Sequence, residues 1–287
     1  MDDRIAVRKT YKLFINGVFP RSESGRTFAA LDSKGKFLAH ASMASRKDAR
    51  DAVVAARAAQ PGWAARDAYN RGQILYRIAE MMEDRRSQFE QELTRTEGLS
   101  PRRSAAVVSA TIDRWVWYAG WADKYAQVLG SSNQVSGPYF NFSVPQATGV
   151  IAAVAPAKSS LFGLVSVIAP IIVSGHTVVC IAAPDRPLPA ITLAEVLATS
   201  DLPAGVINLL TGPPDTIGPW LAAHADVNAL DLTGVTDDAL ATSMSVAAAD
   251  TIKVVLTPRD TDWADDPGLG RIRSFVETTT VWHPQGR

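Results

Sequence analysis

Three residues that could do chemistry, Lys158, Ser159 and Ser160, stand between a short apolar run and a longer one. This order predicts a strand, a turn and a helix. At such a turn, a lysine and the free amide groups of the helix can bind an anion. A serine there is a hydrolytic nucleophile only if a base and an orienting acid lie beside it. An ordinary capped helix start explains the same three residues with fewer requirements.

The single cysteine and the four histidines offer little further chemistry. Cys180 lies in an apolar, β-branched run that predicts a buried strand, where no base or helix N-terminus lowers the pKa of its thiol. We therefore expect a core cysteine. No two histidines have a metal-ligand spacing such as H-x-x-x-H, and Asp265-Asp266 is typical of a solvated loop. The sequence predicts no catalytic residue and no metal site.

The balance of charges excludes two classes of partner. The 287 residues include 29 basic and 29 acidic side chains, so no overall field favours nucleic acid or an anionic membrane. The longest apolar run, residues 161–173, contains Pro170 and is shorter than the ~20 residues that cross a bilayer. The N-terminus has no apolar signal-peptide core, and we expect a cytoplasmic protein.

Residues 147–183 are the centre of the predicted fold. They read as a buried strand, a buried helix and a second buried strand, without the alternation that a solvent-facing sheet shows. From residue 189 to residue 232, helix-like and strand-like segments alternate between turns. The sequence therefore predicts an α/β fold with a doubly wound parallel sheet. Its ligand cleft is expected at the turn after the first strand.

The N-terminal part of the chain predicts a small hairpin and three helices. Asn16-Gly17 lies among alternating apolar residues, which is a strong two-residue hairpin signal. Ser45 begins an S-x-x-D cap, and we expect the helix that follows to stop at Pro61-Gly62. One long helix is predicted from near Asn70, and a third helix after Pro101.

Two strand-like segments do not fit inside the α/β region. One is YFNFSV, which begins at Tyr139, and the other is SFVETTTVW, which begins at Ser274. We expect them to pair as a projecting antiparallel arm, which is marginal alone in water and needs a covering surface. The residues predicted to line this oligomer interface are Phe140, Phe142, Val144, Phe275, Val276, Thr278, Thr280 and Trp282.

These segments divide the chain into three predicted parts. The α/β domain takes residues 1–137 and 146–256, and the arm takes residues 138–145 and 271–287. Residues 257–270, which are acidic and rich in turn formers, are predicted to link the two.

The order of elements resembles the aldehyde dehydrogenase superfamily over nearly the whole chain. The resemblance is carried by FINGVF, the helical pair ending in Glu97-Gly98, TGVIAAVAP, IAPIIVSGHTVV, DLPAGVINLLTG, ALDLTG and VETTTVWHP. It implies an NAD-binding α/β domain interrupted by an oligomerisation arm that docks on a neighbouring subunit. Within the superfamily, the chain is similar to the second module of the family 16 aldehyde dehydrogenases, which lacks a catalytic domain.

The chemistry that the resemblance implies is not carried by the matching residues. Where the family has Trp-Asn, with a side-chain amide that helps to hold the oxyanion, this chain has Ala157 and Lys158. The family's Lys-Pro-Ser-Glu stretch, which grips the adenosine ribose, matches IAAP at residues 181–184. After the strand at residues 251–256 the family continues into its catalytic domain, with the nucleophilic cysteine. This chain passes directly to its C-terminal strand, so we expect a fold in which the catalytic domain is absent.

The matching cofactor residues are a vestige only. Asp237 and Asp238 follow at a helix start, where carboxylates would repel a phosphate, and the rings of Pro213 and Pro214 remove two amide donors. We expect no bound cofactor, and NAD stays as an alternative. The vestigial cofactor-binding residues are Pro156, Lys158, Gly212, Thr233 and Gly234.

Three functional hypotheses follow from these observations. In the first, the chain is a pseudoenzyme, a non-catalytic subunit that assembles with a full-length, active aldehyde dehydrogenase. Its arm and the sheet surface left by the absent domain need covering, and an exposed edge is a template for strand addition. A homo-oligomer is the other assembly considered. In the second, the chain is an NAD(P)-binding module that acts as a sensor or a weak aldehyde dehydrogenase, by analogy of fold. In the third, it has no role, although the arm strands read as intact while the cofactor contacts do not.

Overall fold

The computed structural model describes residue 5 and residues 9–286. The strands in this part of the chain are β1 (Thr10–Tyr11), β2 (Thr27–Leu31), β3 (Phe37–Ser42), β4 (Ser131–Asn133), β5 (Tyr139–Ala147), β6 (Val150–Val154), β7 (Thr177–Ile181), β8 (Ile207–Leu210), β9 (Ala229–Asp231), β10 (Val254–Leu256) and β11 (Val276–Pro284). The helices are α1 (Arg46–Ala64), α2 (Ala68–Asp84), α3 (Arg86–Glu97), α4 (Pro101–Trp121), α5 (Tyr125–Leu129), α6 (Phe162–Val173), α7 (Leu188–Leu197), α8 (Pro214–Ala223), α9 (Asp238–Ala249) and α10 (Gly270–Phe275).

A parallel sheet of five strands, in the order β10-β9-β6-β7-β8, is the centre of the fold. The predicted strand-helix-strand unit is β6, α6 and β7. Side chains of β6 alternate between two cores, with Ile151 and Ala153 facing one and Val150, Ala152 and Val154 facing the other. Because helices cover both faces, every residue of the strand is apolar. The predicted α/β class with a parallel sheet is confirmed.

The helices divide between the two faces of this sheet. Residues of α2, α4, α6 and α7 belong to the core on one face, and residues of α1, α8 and α9 to the core on the other. The N-terminal segment closes one edge, since the Phe14 amide donates to the Leu209 oxygen at 3.0 Å and the Leu209 amide donates back at 2.8 Å. At the opposite edge, the strand order ends at β10, and no further strand is bonded to it among the described residues.

The hairpin turn forms at Asn16-Gly17, but it is short. Both residues have positive φ angles, 53° and 74°, as a tight two-residue hairpin turn requires. Ile15 and Val18 are bridged across it, with amide-to-oxygen distances of 3.0 and 3.1 Å, and the Leu13 amide donates to the Pro20 oxygen at 3.1 Å. Phe14, between Leu13 and Ile15, bonds to the central sheet instead.

The first helix begins as predicted and ends later than predicted. Ser45 and Asp48 cap each other's backbone amides in a capping box. The predicted stop at Pro61-Gly62 was wrong, because the helix continues to Ala64. Trp63 lies beyond the proline, fully buried, and its Nε1 donates to the Ile172 oxygen at 2.8 Å. This tertiary contact outweighs the local cost of a proline in the helix.

The long helix predicted from near Asn70 is divided in two. Arg85 separates α2 from α3, so the apolar face expected to be continuous belongs to two shorter helices. The C-terminus of α3 is closed by Gly98, whose φ of 69° is the left-handed conformation that glycine accepts without strain. The third predicted helix, α4, begins at Pro101 after the cap residue Ser100.

The two isolated strand segments pair with each other, as expected. β5 and β11 are antiparallel along their whole length, from Tyr139 opposite Pro284 to Ala147 opposite Val276. β4 adds a third strand on the other side of β5. The predicted projecting arm is therefore confirmed as a three-stranded antiparallel sheet.

Both faces of the arm mix apolar and polar residues. Phe140, Phe142 and Val144 lie on one face, which we term the apolar face, and Val281 of β11 lies directly opposite Phe142. The other face, which we term the polar face, carries the buried Asn141 and Ser143 together with the exposed Tyr139 and Trp282. The Asn133 amide donates to the Asn141 side-chain oxygen at 2.6 Å and to the Ser143 hydroxyl at 2.9 Å, while the Asn141 Nδ2 has no hydrogen-bond partner among the described residues.

The predicted interface residues are not all on one surface. Val276, Thr278, Thr280 and Trp282 lie on the polar face, opposite to the side that carries Phe140, Phe142 and Val144. Phe275 lies on neither face. It ends α10 and is only 1% exposed, because α10 packs against α6 in the core of the α/β domain. Its assignment to the arm surface was wrong, since the strand begins one residue later.

His176, which lies between α6 and β7, holds both roots of the arm. The amide of Thr148, just after β5, donates to its Nε2 at 3.0 Å. The same Nε2 lies 2.9 Å from the oxygen of Phe275, just before β11. The Thr148 hydroxyl donates to that oxygen at 3.2 Å, and the hydroxyl of Ser174 lies 2.9 Å from Nδ1. Burial lowers the pKa of His176 to about 4, so the imidazole is neutral near pH 7.

The buried imidazole makes the stability depend on pH. Between about pH 6.5 and pH 4 the unfolded chain binds a proton at His176 that the folded chain excludes. The free energy of unfolding is therefore expected to fall by up to ~3 kcal/mol as the pH is lowered through this window. Urea denaturation at a series of pH values measures it. His176→Asn should flatten the slope and His40→Asn, at an exposed position, should leave it unchanged. Equal slopes in all three proteins would contradict the assignment.

Candidate cofactor cleft

A cavity of about 470 Å³ lies at the carboxyl ends of β6 and β9. One wall is the turn from β6 to α6, residues 156–159, and another is the turn from β9 to α9, residues 233–236. The remaining wall comes from five residues between 258 and 263, in the segment that follows β10. This is the edge of a doubly wound sheet at which ligands bind.

Four of the five vestigial cofactor residues meet in this cavity. Pro156, Lys158, Thr233 and Gly234 all line it. Gly212 does not, because it follows β8, which is separated from β6 by β7. It lies against Met43 and Ala44 and has a φ of 131°, which serves a turn of the backbone.

A carboxylate from the chain itself lies just before the start of α6. Glu97, the last residue of α3, accepts hydrogen bonds from the Ser160 amide at 3.0 Å and from the Ser160 hydroxyl. Ser159 accepts from the Gly163 amide, in the first turn of α6, at 2.9 Å. Ser159 therefore bonds to a helix amide and Ser160 to Glu97, and neither has a histidine among its hydrogen-bond partners. Glu97 and Ser160 are 63 residues apart in the chain, and no local pattern indicated this contact.

The amide groups at the start of α9 bond to a carboxylate. The side chain of Asp237 accepts from the amides of Ala239 at 2.8 Å and Leu240 at 3.3 Å. A phosphate at this helix start would compete with Asp237 for those amide groups and would be repelled by its charge.

Thr233 and Gly234 each have a structural role that explains why they are present. The Thr233 hydroxyl donates to Asp231 at 2.6 Å, and Asp231 forms a fully buried ion pair with Arg271 of α10. A side chain at position 234 would place its Cβ 2.3 Å from the oxygen of Ala155, so only glycine fits there. Neither residue by itself indicates a cofactor.

The segment after β10 covers this edge of the sheet. Trp263 lies under the guanidinium of Arg271, 5.4 Å from the ring centre, and Arg114 of α4 donates to the Trp263 oxygen at 2.6 Å. This segment therefore covers part of the carboxyl edge, where the sequence predicted a surface that needs a covering partner. Arg271 holds the segment in place, because its buried charge is paired with Asp231.

The remaining candidate groups are inaccessible or dispersed. Burial, with a smaller contribution from the charge of Asp231, raises the pKa of Cys180 far above its usual range. No group of three or more His, Cys, Asp or Glu residues that could hold a metal is present in residues 5 and 9–286. Within the same residues, no helix is long and apolar enough to cross a bilayer.

A five-stranded parallel sheet with a cleft at its carboxyl edge defines an NAD-binding-type α/β fold, here carrying a projecting β arm. The family model of the aldehyde dehydrogenases, described as "Aldehyde dehydrogenase family", matches residues 20–257. The chain belongs to the aldehyde dehydrogenase family.

This chain spans about half the length of the curated relatives and solved structures that it matches. An aldehyde dehydrogenase from Enchytraeus buchholzi is 34% identical over 232 residues, which cover 79% of this chain and 46% of the relative. Retinal dehydrogenase 2 of Homo sapiens is 32% identical, covering 80% and 45%. The NAD+ complex structure of an aldehyde dehydrogenase from Bacillus cereus is 26% identical with a TM-score of 0.81, covering 86% and 50%.

The buried ion pair beside the cleft should be costly to break. Arg271→Ala leaves the carboxylate of Asp231 buried without its partner, and we expect the free energy of unfolding to fall by about 3–5 kcal/mol. Urea denaturation of the whole chain measures the loss. Arg273→Ala, at an exposed position of the same helix, is the matched control and should cost less than ~0.5 kcal/mol. A loss below ~1 kcal/mol for Arg271→Ala would show that the pair does not hold the segment.

Proposed function

We propose that the chain is a non-catalytic aldehyde dehydrogenase-like subunit that assembles with a full-length, active aldehyde dehydrogenase as a structural or regulatory partner. The observation that carries the proposal is the exposed apolar face of the arm. Phe140 is 45% exposed and Val281 is 36% exposed, beside the partly buried Phe142 and Val144. Apolar side chains gathered on one exposed face are typical of a docking surface.

The cleft supports the non-catalytic part of the proposal. The Asp237 carboxylate occupies the first amide groups of α9, and Glu97 binds Ser160 in the turn just before α6. The thiol of Cys180 is fully buried inside the central sheet, where no substrate reaches it. Without an accessible nucleophile or a fitting pyrophosphate site, the described residues offer no route for hydride transfer from an aldehyde.

A family relative is the partner that the fold favours. The resemblance of the chain to the aldehyde dehydrogenases implies an arm that docks on a neighbouring subunit, and this chain keeps such an arm intact. It also spans about half of its curated relatives, so a full-length relative carries the other half. A stable join of this kind would bury more than ~1,000 Å² of surface.

Assembly can be measured by light scattering on the purified chain, alone and mixed with a purified full-length aldehyde dehydrogenase from the same source. We expect the mixture to contain a complex heavier than either protein alone. Phe140→Asp places a charge on the apolar face and should abolish the complex, because a desolvated, unpaired carboxylate is strongly unfavourable. Val54→Asp, at a position of α1 that is 57% exposed, is the control and should leave it intact.

The proposal would be refuted by a mixture whose masses are simply those of the separate proteins. It would also fail if Phe140→Asp and Val54→Asp weakened the complex equally, because the arm would then have no special part in it.

A second candidate function is that of an NAD(P)-binding module that acts as a sensor or a weak aldehyde dehydrogenase. The 470 Å³ cleft at the carboxyl edge of the sheet favours it. Titration calorimetry with NAD and NADP separates the two. Because the Asp237 carboxylate occupies the first amide groups of α9, we expect no heat of binding at ~1 mM cofactor, while a full-length aldehyde dehydrogenase titrated in parallel gives one. Saturable heat with this chain would favour the second candidate.

A further inference from the structure

Another cavity, of about 310 Å³, lies between the small sheet of β1, β3 and β2 and the helices α3 and α7. β1 supplies Tyr11 to its wall, and β3 supplies Ala39. α3 supplies Glu92 and Arg95, and α7 supplies Leu188. None of the residues that line this cavity lines the cofactor cleft or belongs to the arm, so it is a separate site.

The carboxyl group of Glu92 is bonded on one side only. Its Oε1 accepts a hydrogen bond from the Tyr11 hydroxyl at 2.9 Å. Its Oε2 is buried and has no hydrogen-bond partner among the described residues. Burial raises the pKa of this carboxyl, and the Thr192 and Tyr11 hydroxyls offset only part of the rise. A ligand that donates to Oε2 therefore supplies a bond that the chain itself does not make.

Arg95 brings the opposite charge to the same cavity. Residues three apart in a helix are neighbours on its surface, and a glutamate and an arginine at this spacing commonly form an ion pair. Glu92 and Arg95 form none, and no ion pair to Arg95 is present in residues 5 and 9–286. Of the described residues that line the cavity, Lys9 is the other cation, and it is paired with Glu195. The cavity thus has one acceptor and one cation that do not pair with each other.

A third side of the cavity is apolar. Leu38, Ala39 and Leu188 line it. Ala39 and Leu188 are buried in a small apolar cluster that is separate from the two cores of the central sheet, and Leu38 packs against this cluster. An aliphatic group of a ligand finds its contacts here. The volume lies at the lower end of the ~300–1,000 Å³ of small-molecule sites, which favours a small ligand.

We propose that this cavity binds a small zwitterion, an α-amino acid with an aliphatic side chain. Its ammonium group donates to the Oε2 of Glu92, and its carboxylate pairs with the guanidinium of Arg95. Its side chain packs against Leu38 and Leu188. A zwitterion fits better than a simple cation or anion, because each of the two charged groups of the wall then has a charged partner.

This inference goes beyond the proposed function, since an amino acid bound at this site requires neither the arm nor a partner protein. The two proposals can therefore fail separately. A chain that does not assemble can still bind the amino acid, and a chain that binds no amino acid can still assemble.

Titration of the purified whole chain with L-leucine, followed by calorimetry near neutral pH, tests the proposal. Isoamylamine and isocaproate are the matched probes, because they have the same branched chain but only the ammonium or only the carboxylate. We expect L-leucine to bind with a dissociation constant of ~1 mM or below. Each of the two singly charged probes should bind at least about tenfold more weakly, since each leaves one charge of the wall without a partner.

Two substitutions assign the charges to their residues. Glu92→Gln keeps the shape of the side chain and an oxygen for the Tyr11 hydroxyl, and should weaken L-leucine and isoamylamine about tenfold. Arg95→Gln, at an exposed position, should weaken L-leucine and isocaproate about tenfold and leave isoamylamine unchanged. Glu90→Gln and Arg103→Gln, which replace residues outside the cavity wall, are the controls and should change nothing.

Circular dichroism and thermal unfolding establish that each variant is folded. If Glu92→Gln does not fold, the exposed Arg95→Gln and the three probes still decide. Three results would overturn the proposal. One is the absence of saturable heat with L-leucine up to ~10 mM. Another is an affinity for L-leucine that folded Glu92→Gln or Arg95→Gln leaves unchanged. The third is isoamylamine or isocaproate binding as tightly as L-leucine, because the cavity would then recognise one charge alone.

Discussion

The buried contact between Arg271 and Asp231 ties the C-terminal part of the molecule to the central sheet. Asp231 ends β9 and is fully buried, while Arg271 lies in a helix of six residues that follows a loop rich in turn formers. A short helix has little stability of its own in water. Its position therefore depends on where the buried carboxylate is. A buried ion pair is a weak source of stability, but its geometry is demanding, and here it selects one position for α10.

The position of α10 determines where the arm begins. α10 ends at Phe275, β11 begins at the next residue, and His176 contacts the backbone at both points where the arm leaves the body. The arm is thus attached through two roots that share one buried imidazole. On its polar face Asn133 bonds to Asn141 and Ser143 bonds to Thr280, although the Asn141 Nδ2 has no partner among the described residues. Phe140 and Val281 of the apolar face are exposed, and no described strand bonds to the outer edge of β11.

The cleft combines the sheet order and strand-to-helix turns of an NAD-binding-type domain with a carboxylate at one of its helix starts. The first amide groups of α9 bond to Asp237, while Glu97 binds Ser160 just before α6. Thr233 and Gly234 are explained by the ion pair and by the close approach of Ala155. Residues that match a family motif can thus persist for packing reasons alone.

The sequence by itself determined those helices and strands that are specified by local contacts or by fully apolar runs. The buried run of β6, the capping box at Ser45 and the β-branched strands of the arm were all readable from the chain. Tertiary structure decided the rest. α1 passes Pro61 because Trp63 bonds to Ile172 of α6, Phe275 is core because α10 packs against α6, and Glu97 binds Ser160, 63 residues later in the chain. Contacts between residues so distant in sequence depend on how the whole chain is packed, and no local spacing or propensity records them.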